Sequence, residues 1–163
     1  MPDNTDIFAR LVEDHELHRD LLAKLGDTHG AGAERSRLFE HLTKELKSHA
    51  AAEEQALYST MMRKPETTEE TRHSVAEHKE IEDLLNDLAA AGPDSDDWTA
   101  KLAHLRHRYI HHIDEEENEH FPDFAHYLTE DDVLYMRSVF ERRKQAEKAE
   151  AEVTPEALED AKE

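Results

Sequence analysis

Histidine and glutamate stand four residues apart at two places in the chain, His49-xxx-Glu53 and His112-xxx-Glu116. On a helix that spacing is about 400° of rotation, so both side chains leave one face, one turn apart. A neutral imidazole and a carboxylate so placed make half of a metal site, and two such halves facing each other would make a whole one. Both pairs fall inside apolar stripes. Leu38, Leu42, Leu46, Ala56, Leu57 and Thr60 flank the first, and Trp98, Leu102, Leu105, Tyr109, Ile113 and His120 flank the second. An ionisable pair on a buried face is costly without a partner, which argues for a bound ion.

The elements that must position these residues follow from periodicity and breakers. Thr5 or Asp6 caps a first helix to about Gly26, with Ile7, Leu11, His15, His18, Leu22 and Leu25 on one face. After His29-Gly30-Ala31-Gly32, a second helix runs from about Ala33 to Arg63 and ends before Pro65. Thr67 and Glu70 read as a capping box for a third helix to about Ala90, with His78 on its inward face. Ser95 or Asp96 opens a fourth to about His120, which Pro122 interrupts, and Thr129 opens a fifth. From Glu141 onward the chain is almost all charged residues and Ala, which reads as a fraying helix or a disordered tail.

The two halves match at a fixed offset of 63 without an insertion or deletion. His15 maps to His78, His49 to His112, Glu53 to Glu116 and Glu54 to Glu117. Val12/Val75, Asp20/Asp83, Leu21/Leu84, Leu22/Leu85, Leu25/Leu88 and Tyr58/Phe121 follow the same offset, and an acid precedes each first histidine, Asp14 and Glu77. A duplicated two-helix unit predicts an all-α, up-down-up-down four-helix bundle with an internal repeat, plus a C-terminal helix. The expected organisation is a bundle over residues 1–128, the extra helix over 129–150, and an acidic, disordered tail over 151–163.

Composition narrows the chemistry. Among 163 residues, 20 Lys+Arg against 40 Asp+Glu leave a net charge of −20, unsuited to nucleic-acid phosphates or an anionic membrane. The absence of Cys rules out thiolate ligands and thiol catalysis, while 13 His make imidazole abundant. An acidic start and no apolar run near 18 residues lead us to expect neither signal peptide nor membrane span, and a cytoplasmic location.

Four imidazoles (His15, His49, His78, His112) and two carboxylates (Glu53, Glu116) suit two metal ions, each glutamate bridging the pair. Nitrogen and oxygen ligation without sulfur fits Fe, with Mn or Zn as alternatives on ligand type. Open coordination positions, holding an oxide, hydroxide or water, point to O2, H2O2 or NO as the small ligand. Tyr109, three residues before His112, lies on the ligand face; it reads as a core tyrosine, or as one whose hydroxyl donates to an oxygen species at the site or ligates one metal ion at an open position. Tyr58 falls about 140° from Glu53 on an ideal helix and is a weaker choice. Glu54 and Glu117 follow the bridging positions and either orient ligand histidines or face solvent. His18, opposite Ile81 in the repeat, reads as a core histidine, and His73, His104, His107, His111, His120 and His126 as surface or satisfied polar residues.

At Asp14-His15-Glu16, His49-xxx-Glu53-Glu54, Glu77-His78 and His112-xxx-Glu116-Glu117 the chain resembles the hemerythrin-like family, the HHE cation-binding domain. The resemblance covers roughly residues 5 to 127. It implies a non-haem di-iron four-helix bundle, with His15, His49, Glu53, His78, His112 and Glu116 as ligands and the two glutamates as bridges. The oxygen carriers of that family have HxxxH on the third helix and HxxxxD on the fourth. Here Ser74 precedes His78 by four, and His112 is followed by Glu116. The pattern is similar to the branch with two matching HxxxE halves, whose members consume peroxide, activate oxygen, or sense oxygen or iron. The expectation is a di-iron protein reacting with O2 or peroxide, catalase-, peroxidase- or oxidase-like. The alternative is a non-catalytic O2-, NO- or iron-binding sensor or iron store.

Overall fold

The computed structural model describes residues 5–29 and 32–151. The chain forms four bundle helices and a fifth that lies across them. Helix α1 is Ile7–Gly26, capped by the Asp6 side chain, which accepts from the Ala9 N–H at 2.9 Å. Helix α2 starts at Ala33–Glu53, widens into a π-helical turn at Glu54–Tyr58 and finishes at Ser59–Met61. Helix α3 is Thr68–Ala91. Helix α4 starts at Trp98–Glu115, passes through a second π-helical turn at Glu116–His120 and ends at Phe121–Ala125. Helix α5 is Glu130–Ala151. Among the described residues no helix is long and apolar enough to cross a membrane.

Four local expectations are corrected. The capping box does not form, because the Thr67 hydroxyl donates backward to the Met61 carbonyl at 2.7 Å and so ties the turn to the end of α2. The fourth helix is capped by neither Ser95 nor Asp96. Asp97 stands at its N-terminus without a side-chain cap, and the Ser95 hydroxyl bonds to the Asp97 carboxylate. Pro122 does not stop the chain's helical course. The widened turn before it accommodates a residue that lacks an N–H and would press on the carbonyl four residues back. Nor does the helix fray at Glu141, since α5 stays regular to Ala151; the acidic tail expected over 151–163 otherwise falls on residues 152–163, outside the described residues.

The apolar residues fall into two clusters with a polar layer between them. One, around Leu22, Leu42, Leu85, Trp98 and Leu105, fills the end of the bundle near the two interhelical loops Gly26 and Gly92 lead into. Gly92 closes α3 at φ +82°, a conformation that favours a residue without Cβ. The other, around Ile7, Leu11, Leu57, Met61 and Phe124, is completed by Met136 and Phe140 of α5. The layer between holds Asp14, His15, His18, His49, Glu53, His112 and Glu116, all buried.

Helix α5 packs on α1 and α2, and its polar side chains reach inside. Lys144, only 5% exposed, places its ammonium 2.8 Å from each oxygen of Asp14 and 3.1 Å from Glu45 Oε2. Arg10 joins the same knot, 2.6 Å from Asp14 Oδ1 and paired with Glu141, with its guanidinium over the Phe140 ring. The composition of this segment resembles a solvated run, yet its lysine is a buried counter-charge. Removing one partner of a buried pair leaves the other uncompensated, so Lys144→Ala is expected to cost about 3 kcal/mol. Urea unfolding measures this, and an unchanged midpoint would show that α5 merely rests on the bundle.

Candidate metal centre

The π-helical turns begin where the two glutamates stand, and the histidines of α1 and α3 complete the ring from the facing helices. The His15 and His49 ring centroids lie 5.2 Å apart, and those of His78 and His112 lie 5.0 Å apart. Glu53, His78, His112 and Glu116 each offer a ligand atom within 4.8 Å of the other three. His78 Nε2 is 3.1 Å from Glu53 Oε1, His112 Nε2 touches Glu116 Oε1, and His49 Nε2 is 3.7 Å from Glu53 Oε1. The six residues derived from the repeat therefore meet in one buried layer.

Three of the four imidazoles are hydrogen-bonded from behind by an acid and the fourth faces one, leaving each Nε2 for the centre. His49 Nδ1 bonds to Asp14 Oδ2 at 2.8 Å, and His112 Nδ1 bonds to Glu77 Oε1 at 2.8 Å. His15 Nδ1 bonds to Glu117 Oε2 at 2.7 Å, while His78 Nδ1 faces Glu54 Oε1 at 3.4 Å. All four acid–imidazole pairings obey the offset of 63; three are hydrogen bonds, and the fourth, His78 with Glu54, is a longer contact that leaves His78 Nδ1 without a hydrogen bond. Such partners fix ring orientation and tautomer and make imidazole a better donor. Glu54 and Glu117 are orienting groups in this geometry. Asp14 and Glu77 share that role, which local spacing could not show because each partner is 35 residues away; their repeat match was the available signal.

The donor set fits a metal on a direct observation. His15 Nε2, His49 Nε2 and both oxygens of Glu53 and Glu116 are buried and take part in no hydrogen bond. Six polar atoms without a hydrogen bond, two of them facing only imidazole Nε2 atoms, are costly for protein alone, and they are the nitrogen and oxygen donors that a borderline divalent cation takes.

Without a cation the groups share protons instead. Burial pushes the Glu53 carboxyl up, and the neighbouring Glu116 charge adds to this. Burial opposes ionisation of Glu116 too, but His112 outweighs it and holds the carboxyl low. Burial would lower His78 and His112, yet Glu53 and Glu54 carry His78 up to about 9, and Glu116 and Glu77 carry His112 up to about 10. His49 goes the other way, to about 4, because burial outweighs Asp14.

Two tyrosines border the layer. Tyr109, with its ring 6.2 Å from His112, has its hydroxyl 2.7 Å from His18 Nδ1. His18 Nε2 lies 3.5 Å from Glu45 Oε2, so a buried polar line runs from Tyr109 toward the half-exposed Lys148, which pairs with Glu45. Tyr58 is better placed than an ideal helix predicts. In a π-helical turn residues five apart come into line, which brings Tyr58 over Glu53, fully buried and with its ring 5.3 Å from His78. Phe121 takes the equivalent place in the other half, stacked on His15 at 6.1 Å. Burial and the two glutamates keep both phenols protonated. A cavity of about 450 Å³ between α2 and α3 reaches this layer at His49, His78 and Tyr109, with Ala50 and Ala51 as small wall residues and Lys47 near the surface.

The family model for the hemerythrin HHE cation binding domain matches residues 6–124. A crystal structure of a hemerythrin HHE cation binding domain-containing protein from Mycobacterium kansasii is similar, with a TM-score of 0.79 and 20% identity over 90% of this chain and 89% of that one. At that identity the likeness concerns the fold. No curated protein sequence matches the chain.

The titration pattern predicts how the metal-free protein responds to pH. His78 and His112 have folded pKa values above their ordinary 6.5, so their stabilisation is full below pH 6.5 and is lost as pH rises through about 9 and 10. His49, lowered to about 4, contributes above pH 6.5 and loses that contribution as pH falls toward 4. The melting temperature of chelator-treated protein should therefore peak near pH 6.5 and drop by pH 9. Metal-loaded protein, whose ligand imidazoles are deprotonated throughout, should lack the alkaline drop. A flat profile for the metal-free form would contradict the assignment.

Proposed function

We propose a function on one premise: this chain belongs to the hemerythrin HHE cation-binding domain family. The reading the geometry supports best is a non-haem di-iron protein that reacts with O2 or peroxide. The observation that carries it is the ring of six buried donor atoms that take part in no hydrogen bond, with a cavity leading to it from outside. His15, His49, His78 and His112, with Glu53 and Glu116, would hold the two ions, and an oxide or hydroxide would complete their coordination. When bound, such a pair supplies reversible redox change and Lewis acidity. Iron is preferred to Mn or Zn because carboxylate-bridged pairs in helix bundles are a recurrent di-iron arrangement.

The chain's own residues divide the remaining work. Asp14, Glu77, Glu117 and Glu54 orient the four imidazoles. The cavity, walled by Ala50, Ala51, Val75 and Leu85, admits a molecule the size of O2 or H2O2 past an apolar lining. Tyr109 is the proton donor. Its hydroxyl stays protonated at neutral pH, and His18 Nδ1, at 2.7 Å, can take or return that proton through the line toward Glu45. Tyr58 offers a second neutral phenol, whereas Phe121 leaves the other half without one. O2-carrying behaviour is disfavoured because Ser74, where carriers have a histidine, offers no imidazole and bonds to His120 Nδ1 at 3.0 Å.

A sensing role is the second reading, and one feature favours it. Asp14 bonds both to ligand His49 and to Lys144 of α5, so a change at the centre has a direct route to an outer helix.

Iron-loaded protein is expected to consume H2O2 well above free iron and to absorb in the near ultraviolet and visible. His49→Ala should abolish both. Tyr109→Phe should keep the spectrum and lower turnover by roughly 10²-fold, the scale of one lost proton donor. Reversible optical change without turnover of H2O2, or of O2 with a reductant, would transfer the assignment to the sensor or store. Less than about one ion per chain by elemental analysis after expression with iron would remove both.

A further inference from the structure

The second half of the bundle carries another convergence of imidazoles and carboxylates, outside the central ring. His73 and Glu77 stand one turn apart on α3, His111 and Glu115 one turn apart on α4, and His120 closes the π-helical turn beyond them. His73 Nε2 is 3.0 Å from Glu115 Oε1 and 3.4 Å from Glu77 Oε1. His120 Nε2 is 3.1 Å from Glu115 Oε1, and His111 Nε2 is 3.3 Å from Glu115 Oε2. His120 is held by Ser74 through Nδ1, so its Nε2 is the atom left to face the cluster. Glu77 and His120 are buried, and Glu115 is mostly covered, while His73 and His111 are half exposed.

The repeat shows what this cluster replaces. Glu77 corresponds to Asp14, and each accepts a hydrogen bond from the Nδ1 of a central histidine at 2.8 Å. Asp14 is then neutralised by cations of the chain itself, with Lys144 on both oxygens and Arg10 at 2.6 Å. At the position of Arg10 the second half has His73. The counterparts of Glu115 and His120 are Ala52 and Leu57, apolar residues packed in the cluster that α5 completes. Helix α5 packs chiefly on α1 and α2, the helices of the first half. The second half thus keeps the acid, adds another, surrounds both with imidazoles, and has no lysine or arginine in the place of Lys144 among the ion pairs formed with Glu77.

We propose that His73, Glu77 and Glu115 bind a divalent transition-metal ion, each offering a ligand atom within 4.8 Å of the other two. One imidazole and two carboxylates without sulfur suit Zn2+ and also Co2+ or Fe2+, with water in the remaining position. With metal–ligand bonds of about 2.0–2.2 Å, tetrahedral donors sit about 3.3 Å from one another. His73 Nε2 stands 3.0 Å from Glu115 Oε1 and 3.4 Å from Glu77 Oε1, and His120 Nε2, 3.1 Å from the same Glu115 oxygen, steadies that carboxylate from the buried side. His111, on the other oxygen of Glu115, orients that carboxylate. An ion there would reach His112 through Glu77, coupling the surface to the central ring by one carboxylate and one imidazole. The site stands on its own residues and does not depend on what fills the central ring.

Metal-free full-length protein titrated with Co2+ and then Zn2+, and assayed for bound metal after desalting, tests this. Wild type should retain one equivalent more than His73→Ala and one more than Glu115→Gln. His49→Ala, which touches only the central ring, should keep the outer equivalent, and His104→Ala, a surface histidine elsewhere, should lose nothing. Zinc-soaked crystals should give an anomalous peak between His73, Glu77 and Glu115. Equal stoichiometry in wild type and His73→Ala, an equal loss in His104→Ala, or no peak at that position would overturn the proposal. Loss of metal in His49→Ala reports separately on the central ring.

Discussion

Two carboxylates, Glu53 and Glu116, face one another in the interior of the bundle, and none of their four oxygens accepts a hydrogen bond. Taking each charge out of water costs several kcal/mol after relaxation. The surrounding structure answers to that fact. Four imidazoles close around the pair, four acids stand behind the imidazoles, and Arg10 and Lys144 compensate Asp14 while Arg19 compensates Glu117. The two central and four outer carboxylates total six negative charges in one layer. Protons alone offset part of it only by forcing Glu53 up and two histidines well above their ordinary range, whereas bound cations would offset it with the histidines left neutral.

Much of this was legible in the chain. The His-xxx-Glu spacing and the offset of 63 carry all six central residues, because both follow from helix periodicity, which is local. The outer hydrogen bonds were visible only in part. Asp14 and Glu77 drew notice as repeated neighbours, but an acid on one helix serving a histidine 35 residues on is a tertiary relation. Tyr58 was misplaced by assuming an ideal helix through Glu54–Tyr58, where the chain is wider. Lys144 was concealed by composition, since a charged segment looks solvated until the acid that receives it is known. Thr67 had the right residue type for a cap, and a carbonyl from the preceding helix took its hydroxyl first.

The two halves have diverged around a preserved centre. In the first, α5 seals the outer face and the chain supplies the cations. In the second, the face stays open and imidazoles gather there. The polar line through Tyr109 and His18 has no counterpart, since Leu46 and Ile81 hold those positions. An apolar partner on one side and a hydrogen-bonded pair on the other means the two ends of the ring differ in proton supply, although their ligands are alike.

The π-helical turns give each glutamate a neighbour that an α-helix would turn aside. Both halves carry the turn at the same place relative to the glutamate, within one residue, and the offset of 63 runs through both without a gap. A turn closed by five residues brings the fifth residue beyond each glutamate into line with it, Tyr58 beyond Glu53 and Phe121 beyond Glu116. One wall of the polar layer therefore ends in a phenol and the other in a plain aromatic ring, so the same backbone device presents a proton on one side and only an apolar face on the other.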